Sequence, residues 1–161
     1  MSRYLVFVSL VLLINGCTPD ARLERVVRAV EREYADVHHM PIDSAASWLA
    51  TGEPVLLDVR EADEFAVSHL ASAHHLPPGT VDLSPLDSLG RDTPIILYCA
   101  VGYRASDMAR RLQALGFTNV HNMRGAIFQW ANEDRPLVVD SVVHTYSAIW
   151  SRLVRPGKRA Q

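Results

Sequence analysis

The sequence predicts an α/β fold, a central parallel sheet with helices on both faces. Two observations carry that expectation. Short apolar runs, of which Pro94-Ile95-Ile96-Leu97-Tyr98 is the purest, alternate with stretches of helical character. The runs are apolar throughout rather than every second residue, so each strand is expected to be covered on both sides, as parallel strands are. Sites in such sheets lie beyond the carboxyl ends of the strands.

The chain opens with Met1-Ser2-Arg3 and the apolar run Tyr4 to Ile14. That run is about half of the roughly 20 residues a membrane-spanning helix needs. A basic start, a short apolar stretch and small residues describe a secretory signal over residues 1–16. The run ends in Ile14-Asn15-Gly16-Cys17, which resembles the bacterial lipobox. The resemblance implies a lipidated Cys17 as the first mature residue, anchored in the membrane of a bacterial envelope and facing the periplasm. Thr18, in place of an Asp, favours the outer membrane. A plain signal peptide or membrane anchor with an incidental cysteine is the alternative.

Residues 17–41 form the lipidated N-terminus and a spacer. Leu23, Val26, Val27, Val30, Tyr34 and Val37 recur at helical spacing, with Arg and Glu opposite. An amphipathic helix capped by Asp20 is expected there. It can pack on the domain, act as a spacer or bind a partner, and packing is the usual fate of such a stripe.

The domain proper is placed at residues 42–138. Ile42 to Leu49 reads as a short helix, Pro54 to Arg60 as a buried strand ending in charge, and Glu61 to Val67 as a helix with acidic residues in its first turn. His74 to Gly79 reads as a short strand broken by a turn, and Asp82 to Leu89 as helical. The strand 94–98 precedes a loop, a helix runs to Leu115, and Gly116 closes it. Asn119 to Met123 is the last strand, and Gly125 to Trp130 opens another helix. Trp48, Phe128 and Trp130 are expected in the core. The extension 139–161 follows a strand-like run, Val138 to His144, and contains a short helix between Tyr146 and Val154; its last residues, from Arg155, are polar and basic.

With 16 basic and 18 acidic residues, a net charge of −2 and no long run of one sign, nothing favours nucleic acid as a partner. The seven histidines lack metal-ligand spacing, so no metal is expected. The two cysteines, Cys17 and Cys99, are too few for a disulfide framework or a zinc cluster. With Cys17 assigned to lipid, Cys99 is left as a lone thiol.

Cys99-Ala100-Val101-Gly102-Tyr103-Arg104 therefore holds the candidate chemistry. A cysteine ends a core strand just before a helix. Successive backbone N–H groups in such a turn make an anion-binding concavity, and the helix adds roughly half a positive charge there. That setting stabilises a sulfur anion. Arg104 supplies a fixed charge able to hold the thiolate or an anionic substrate.

Three motifs now fall into order. Leu56-Leu57-Asp58-Val59-Arg60-Glu61 resembles the first signature of the rhodanese family. Cys99 to Ser106 resembles its active-site loop, Cys-x-x-Gly-x-Arg-Ser, with Ala105 intervening before Ser106. Asn122-Met123-Arg124-Gly125-Ala126 through Trp130 resembles its closing signature, with Ala126 where a second glycine is frequent. The resemblance covers about Ile42 to Val138 and implies a rhodanese-like fold. It makes Asp58 and Arg60 an ion pair supporting the loop. Phosphatases of related architecture place arginine six positions after cysteine; here it comes at five, which resembles the sulfurtransferase branch.

That branch implies transfer of a sulfane sulfur from thiosulfate or a similar donor, through a Cys99 persulfide, to cyanide or a thiol. Backbone N–H groups of residues 100 to 104 hold the persulfide, Arg104 orients the donor, and Val101 and Tyr103 shape the mouth. No cofactor is required. A non-catalytic, lipid-anchored persulfide or thiol carrier remains the other reading.

Overall fold

The computed structural model describes residues 18–160. The expectations for the signal segment and for Cys17 lie outside them. Among the described residues no helix is long and apolar enough to cross a membrane.

The first helix, α1 (Pro19–Glu33), buries Leu23, Val26, Val27 and Val30. Its cap is Thr18, not Asp20: the Thr18 hydroxyl accepts from the Ala21 N–H at 3.2 Å. Pro19 fixes the first helical position, which puts the cap one residue ahead of it. Asp20 instead receives the side chains of Asn132 and Arg155, at 3.0 and 2.9 Å.

The elements that follow are β1 (His38–Met40), α2 (Ile42–Leu49), β2 (Val55–Asp58), α3 (Ala62–Val67), β3 (His74–His75), β4 (Ile95–Tyr98), α4 (Tyr103–Ala114), β5 (Val120–Met123), α5 (Ala126–Asn132) and α6 (Ala148–Ser151). All five strands join one parallel sheet in the order β1-β5-β4-β2-β3. β4 lies at its centre and every residue of it is buried.

Period-two alternation sends Ile96 and Tyr98 to one face and Ile95, Leu97 and Cys99 to the other. On the first face they meet Ile42, Ala45, Ile127, Phe128, Leu153 and Val154; on the second, Ala105, Met108, Ala109 and Leu112 of α4. Helices thus cover both faces, as two layers of apolar surface require. The stripe of α1 is shared between them: Leu23, Val26 and Val27 pack in the first cluster, Val30 in the second with Tyr34 and Val37 beyond the helix end. α1 packs on the domain and bridges its layers.

Three expectations change. Residues 82–89 form only a 3-10 turn, Ser84–Leu86. Asp82 takes the Ser84 N–H with its own carboxylate at 2.9 Å, which offers the backbone a turn in place of a helix. Residues 138–144 do not extend the sheet. Val139 has φ 74°, which breaks the extended run, and single bridges from Val138 to His69 and from Val143 to Arg159 are all that forms. The last helix shrinks to Ala148–Ser151, because Tyr146 just before its cap has φ 64°.

Candidate active site

The centre of the sheet aims β4 at the candidate site. Cys99, the residue after β4, is 1% exposed, so its sulfur forms the floor of the loop rather than its rim. The Gly102 N–H donates to Cys99 Sγ at 3.1 Å. Gly102 has φ 103°, a left-handed conformation that turns the chain from loop into α4. A Cβ there would come within 3.0 Å of the Asn122 amide, so glycine is needed for space as well.

The first N–H groups of α4, on Tyr103, Arg104 and Ala105, have no carbonyl four residues back within the helix to receive them. Helix-opening N–H groups of this kind are able to receive an anion. The other side of the loop is pinned. Ile127 and Phe128 of α5 donate their N–H groups to the carbonyls of Cys99 and Ala100, each at 3.1 Å. Ser106 Oγ donates to the Gly102 carbonyl at 2.9 Å, and Asn122 Nδ2 reaches the same carbonyl at 3.1 Å. His39 completes this brace. Its Nε2 bonds the Tyr34 carbonyl at 3.0 Å and must donate there, which leaves Nδ1 to accept from Asn122 at 3.2 Å.

Two arginine–carboxylate pairs flank the loop. Asp58 and Arg60 are both fully buried, joined by bonds of 2.6 to 3.1 Å, and Arg60 Nη2 also donates to the Ser68 carbonyl at 2.6 Å. Val59 N–H bonds the Tyr98 carbonyl at 2.9 Å, which ties this corner to β4 directly. Burial opposes the Arg60 charge, and Asp58 more than restores it, leaving the guanidinium more basic than usual.

The second pair was not anticipated from the sequence. Glu64 of α3, fully buried, accepts both Nη atoms of Arg104 at 2.6 and 2.9 Å. The same carboxylate takes the Glu61 N–H at 3.0 Å, closing the first turn of α3. Burial again works against the cation; the hydrogen bonds it donates to Glu64, with the electrostatic influence of nearby Cys99 and Glu64, outweigh it and hold Arg104 firmly protonated. The fork expected to orient an anionic donor is thus occupied by a carboxylate. What faces outward is the edge and face of the guanidinium, over which the Tyr146 ring lies at 5.4 Å.

Of the remaining expected residues, Ala100 is half-buried in the loop and Val101 is buried in the core with α2 and α5. Val101 therefore packs rather than shaping the mouth. Tyr103 turns toward α1, edge-on to Tyr34 at 5.2 Å with its hydroxyl 3.3 Å from Glu33. Among the described residues Cys99 is the free cysteine, and no group of three or more His, Cys, Asp or Glu could hold a metal.

A buried cysteine at the end of the central strand, under a helix-opening loop braced from both sides, defines a class: parallel α/β proteins with a cysteine beneath the loop that opens a helix. The Rhodanese-like domain family matches residues 42–133, and the chain belongs to it. A sulfurtransferase of Allochromatium vinosum is 30% identical over 103 residues, covering 63% of this chain and 95% of that protein. The probable adenylyltransferase/sulfurtransferase MoeZ of Mycobacterium tuberculosis is 29% identical over 94 residues, 57% of this chain but only 24% of its own length. The chain thus spans about a quarter of that larger protein. Among solved structures, BH2092 of Bacillus halodurans aligns with a TM-score of 0.57 at 22% identity, over 68% of this chain and 84% of that one. A thiosulfate sulfurtransferase from Pseudomonas aeruginosa aligns with 0.58 at 21%, over 70% of this chain and 22% of that one. At such identities the likeness is one of fold. The matched relatives place the chain among sulfurtransferase-like proteins.

Proposed function

We propose that the protein transfers a sulfane sulfur from thiosulfate, or a similar small donor, to a thiophilic acceptor through a persulfide on Cys99. The Cys99 thiolate attacks the outer sulfur of thiosulfate. The bond between that sulfur and the sulfonate sulfur breaks, its electron pair leaves with sulfite, and the new S–S bond makes a persulfide anion. Free N–H groups at the start of α4 receive that charge without having to reorganise. Cyanide, or a thiol in the cell, then takes the terminal sulfur and regenerates the thiolate. The observation that carries this reading is the 3.1 Å bond from the Gly102 N–H to Cys99 Sγ, because it aims the cradle at sulfur.

The test is thiosulfate-dependent formation of thiocyanate by the purified protein, lost in Cys99→Ser. Steady release of phosphate from aryl phosphates without sulfur transfer would overturn it. A carrier that accepts persulfide without turnover is the second reading. It is favoured by the Glu64–Arg104 bond, which leaves no free guanidinium fork for a dianionic donor. Cyanide-labile sulfur on Cys99 without steady thiocyanate production would select it. The proposal includes location. A lipid on Cys17 would hold the domain at a bacterial envelope membrane, facing the periplasm. Fatty-acid labelling that disappears in Cys17→Ala checks this.

A further inference from the structure

The C-terminal extension lies beyond the residues the family matches, yet it reaches the candidate site. Its two ends are fixed firmly. Val143 is fully buried, and it exchanges backbone bonds of 2.9 Å with Lys158 and Ala160. Leu153 and Val154 are fully buried as well. The Val142 carbonyl receives Ser68 Oγ at 2.6 Å, which moors the segment to the end of α3. Between these anchors residues 144–147 make a tight excursion, and Tyr146 stands at its apex with φ 64°.

That backbone angle is one a side-chain-bearing residue seldom adopts. Its effect is to lay the Tyr146 ring over the Arg104 guanidinium, 5.4 Å from Cζ, with His144 edge-on behind it at 5.8 Å. Tyr146 is 56% exposed as a residue, so it is not there to fill a core. Arg104 flanks Cys99, and Glu64 already takes both its Nη atoms. The Tyr146 ring therefore covers the side of Arg104 that still faces out.

We propose that Tyr146 is a specificity-determining residue: its ring forms one wall of the mouth above Cys99 and limits sulfur donors to compact ones. This rests on the sulfur-transfer reading of Cys99, but the wall itself can be tested without it. Two pairs of probes are compared, thiosulfate with benzenethiosulfonate as donors, and iodoacetamide with its fluorescein conjugate as alkylating agents for Cys99. In Tyr146→Ala the bulky-to-small rate ratio should rise about tenfold in both pairs, the scale on which a pocket wall discriminates. Tyr146→Phe keeps the ring and should keep the wild-type ratio. Tyr146→Gly removes the ring while accepting the backbone angle freely; it must match the alanine variant, which separates the wall from any change in the loop. An unchanged alkylation ratio in Tyr146→Gly overturns the proposal, as does a phenylalanine variant that behaves like alanine. A shifted alkylation ratio with no turnover of either donor upholds the wall and removes the transfer reading instead.

Discussion

The two arginine–carboxylate pairs beside the loop are made of the same groups and are built differently. Asp58 and Arg60 sit two residues apart at the end of one strand, and neither side chain has any exposed surface. Glu64 and Arg104 come from different helices, forty positions apart in sequence; the glutamate is sealed and the arginine side chain is 21% exposed. A sealed pair has nowhere to put a lone charge, so it acts as a rivet between β2 and its neighbours. A pair open on one side can let its cation swing toward solvent or a ligand. Sealing leaves the first no route to solvent, while the opening leaves the Arg104 side chain partly accessible.

Breaking the sealed pair should have the largest effect. Asp58→Asn leaves the Arg60 charge buried and unpaired, and unfolding in denaturant should show a loss of about 3–5 kcal/mol. A loss below about 1 kcal/mol would mean that this corner is open to water, and the contrast between the pairs would fail. Glu64→Gln is expected to cost less, about 1.5–3 kcal/mol in the same experiment, because Arg104 can turn outward. It should also free the guanidinium fork for an anion, so the KM for thiosulfate should fall severalfold in steady-state assays. An unchanged KM would show that Arg104 does not meet the donor.

Smaller effects belong to the opposite end of the sheet. There His38 and His121, partners in the β1–β5 register, face each other with their Nδ1 atoms 2.7 Å apart. Burial first, and His38 second, lower the affinity of His121 for a proton. Beneath an unfolded value of about 6.5 the unfolded chain binds a proton that the folded protein resists. Stability therefore falls as pH drops below about 6.5, and melting temperatures between pH 7.5 and 5 should show a slope that His121→Asn reduces. The smallest effect is expected from the surface pair Arg28–Glu24, one helical turn apart. Arg28→Ala should shift stability by less than about 0.5 kcal/mol. Seen together, the four should rank by how completely water is excluded.

The parts of the molecule legible in the sequence were those whose signal is local. β4 is a run of buried residues, and the loop after it carries Cys99, Gly102 and Arg104 within six positions, so strand, turn and nucleophile could be read together. β1 could not be. His38-His39-Met40 has no apolar run, and it is a strand because β5 offers it a parallel edge and Asn122 offers His39 a partner. Glu64 was visible only as an acidic residue in a helix start. Its second duty, holding Arg104, depends on a tertiary approach that no spacing announces. Tyr146 was hidden for the same reason, since its place follows from a left-handed backbone and buried anchors on either side.

α1 also sets a distance. Its start is held at the far end of α5, where Asp20 meets Asn132 and Arg155; the segment after it meets the active loop, where Tyr34 meets Tyr103. At 1.5 Å per residue the 15-residue helix is about 22 Å long. In the lipid-anchored arrangement proposed for Cys17, the attachment falls just ahead of Thr18, at the end of this ruler away from the sulfur. The active loop would then lie near the end of the helix that is farther from the bilayer, on the side where acceptors diffuse in three dimensions.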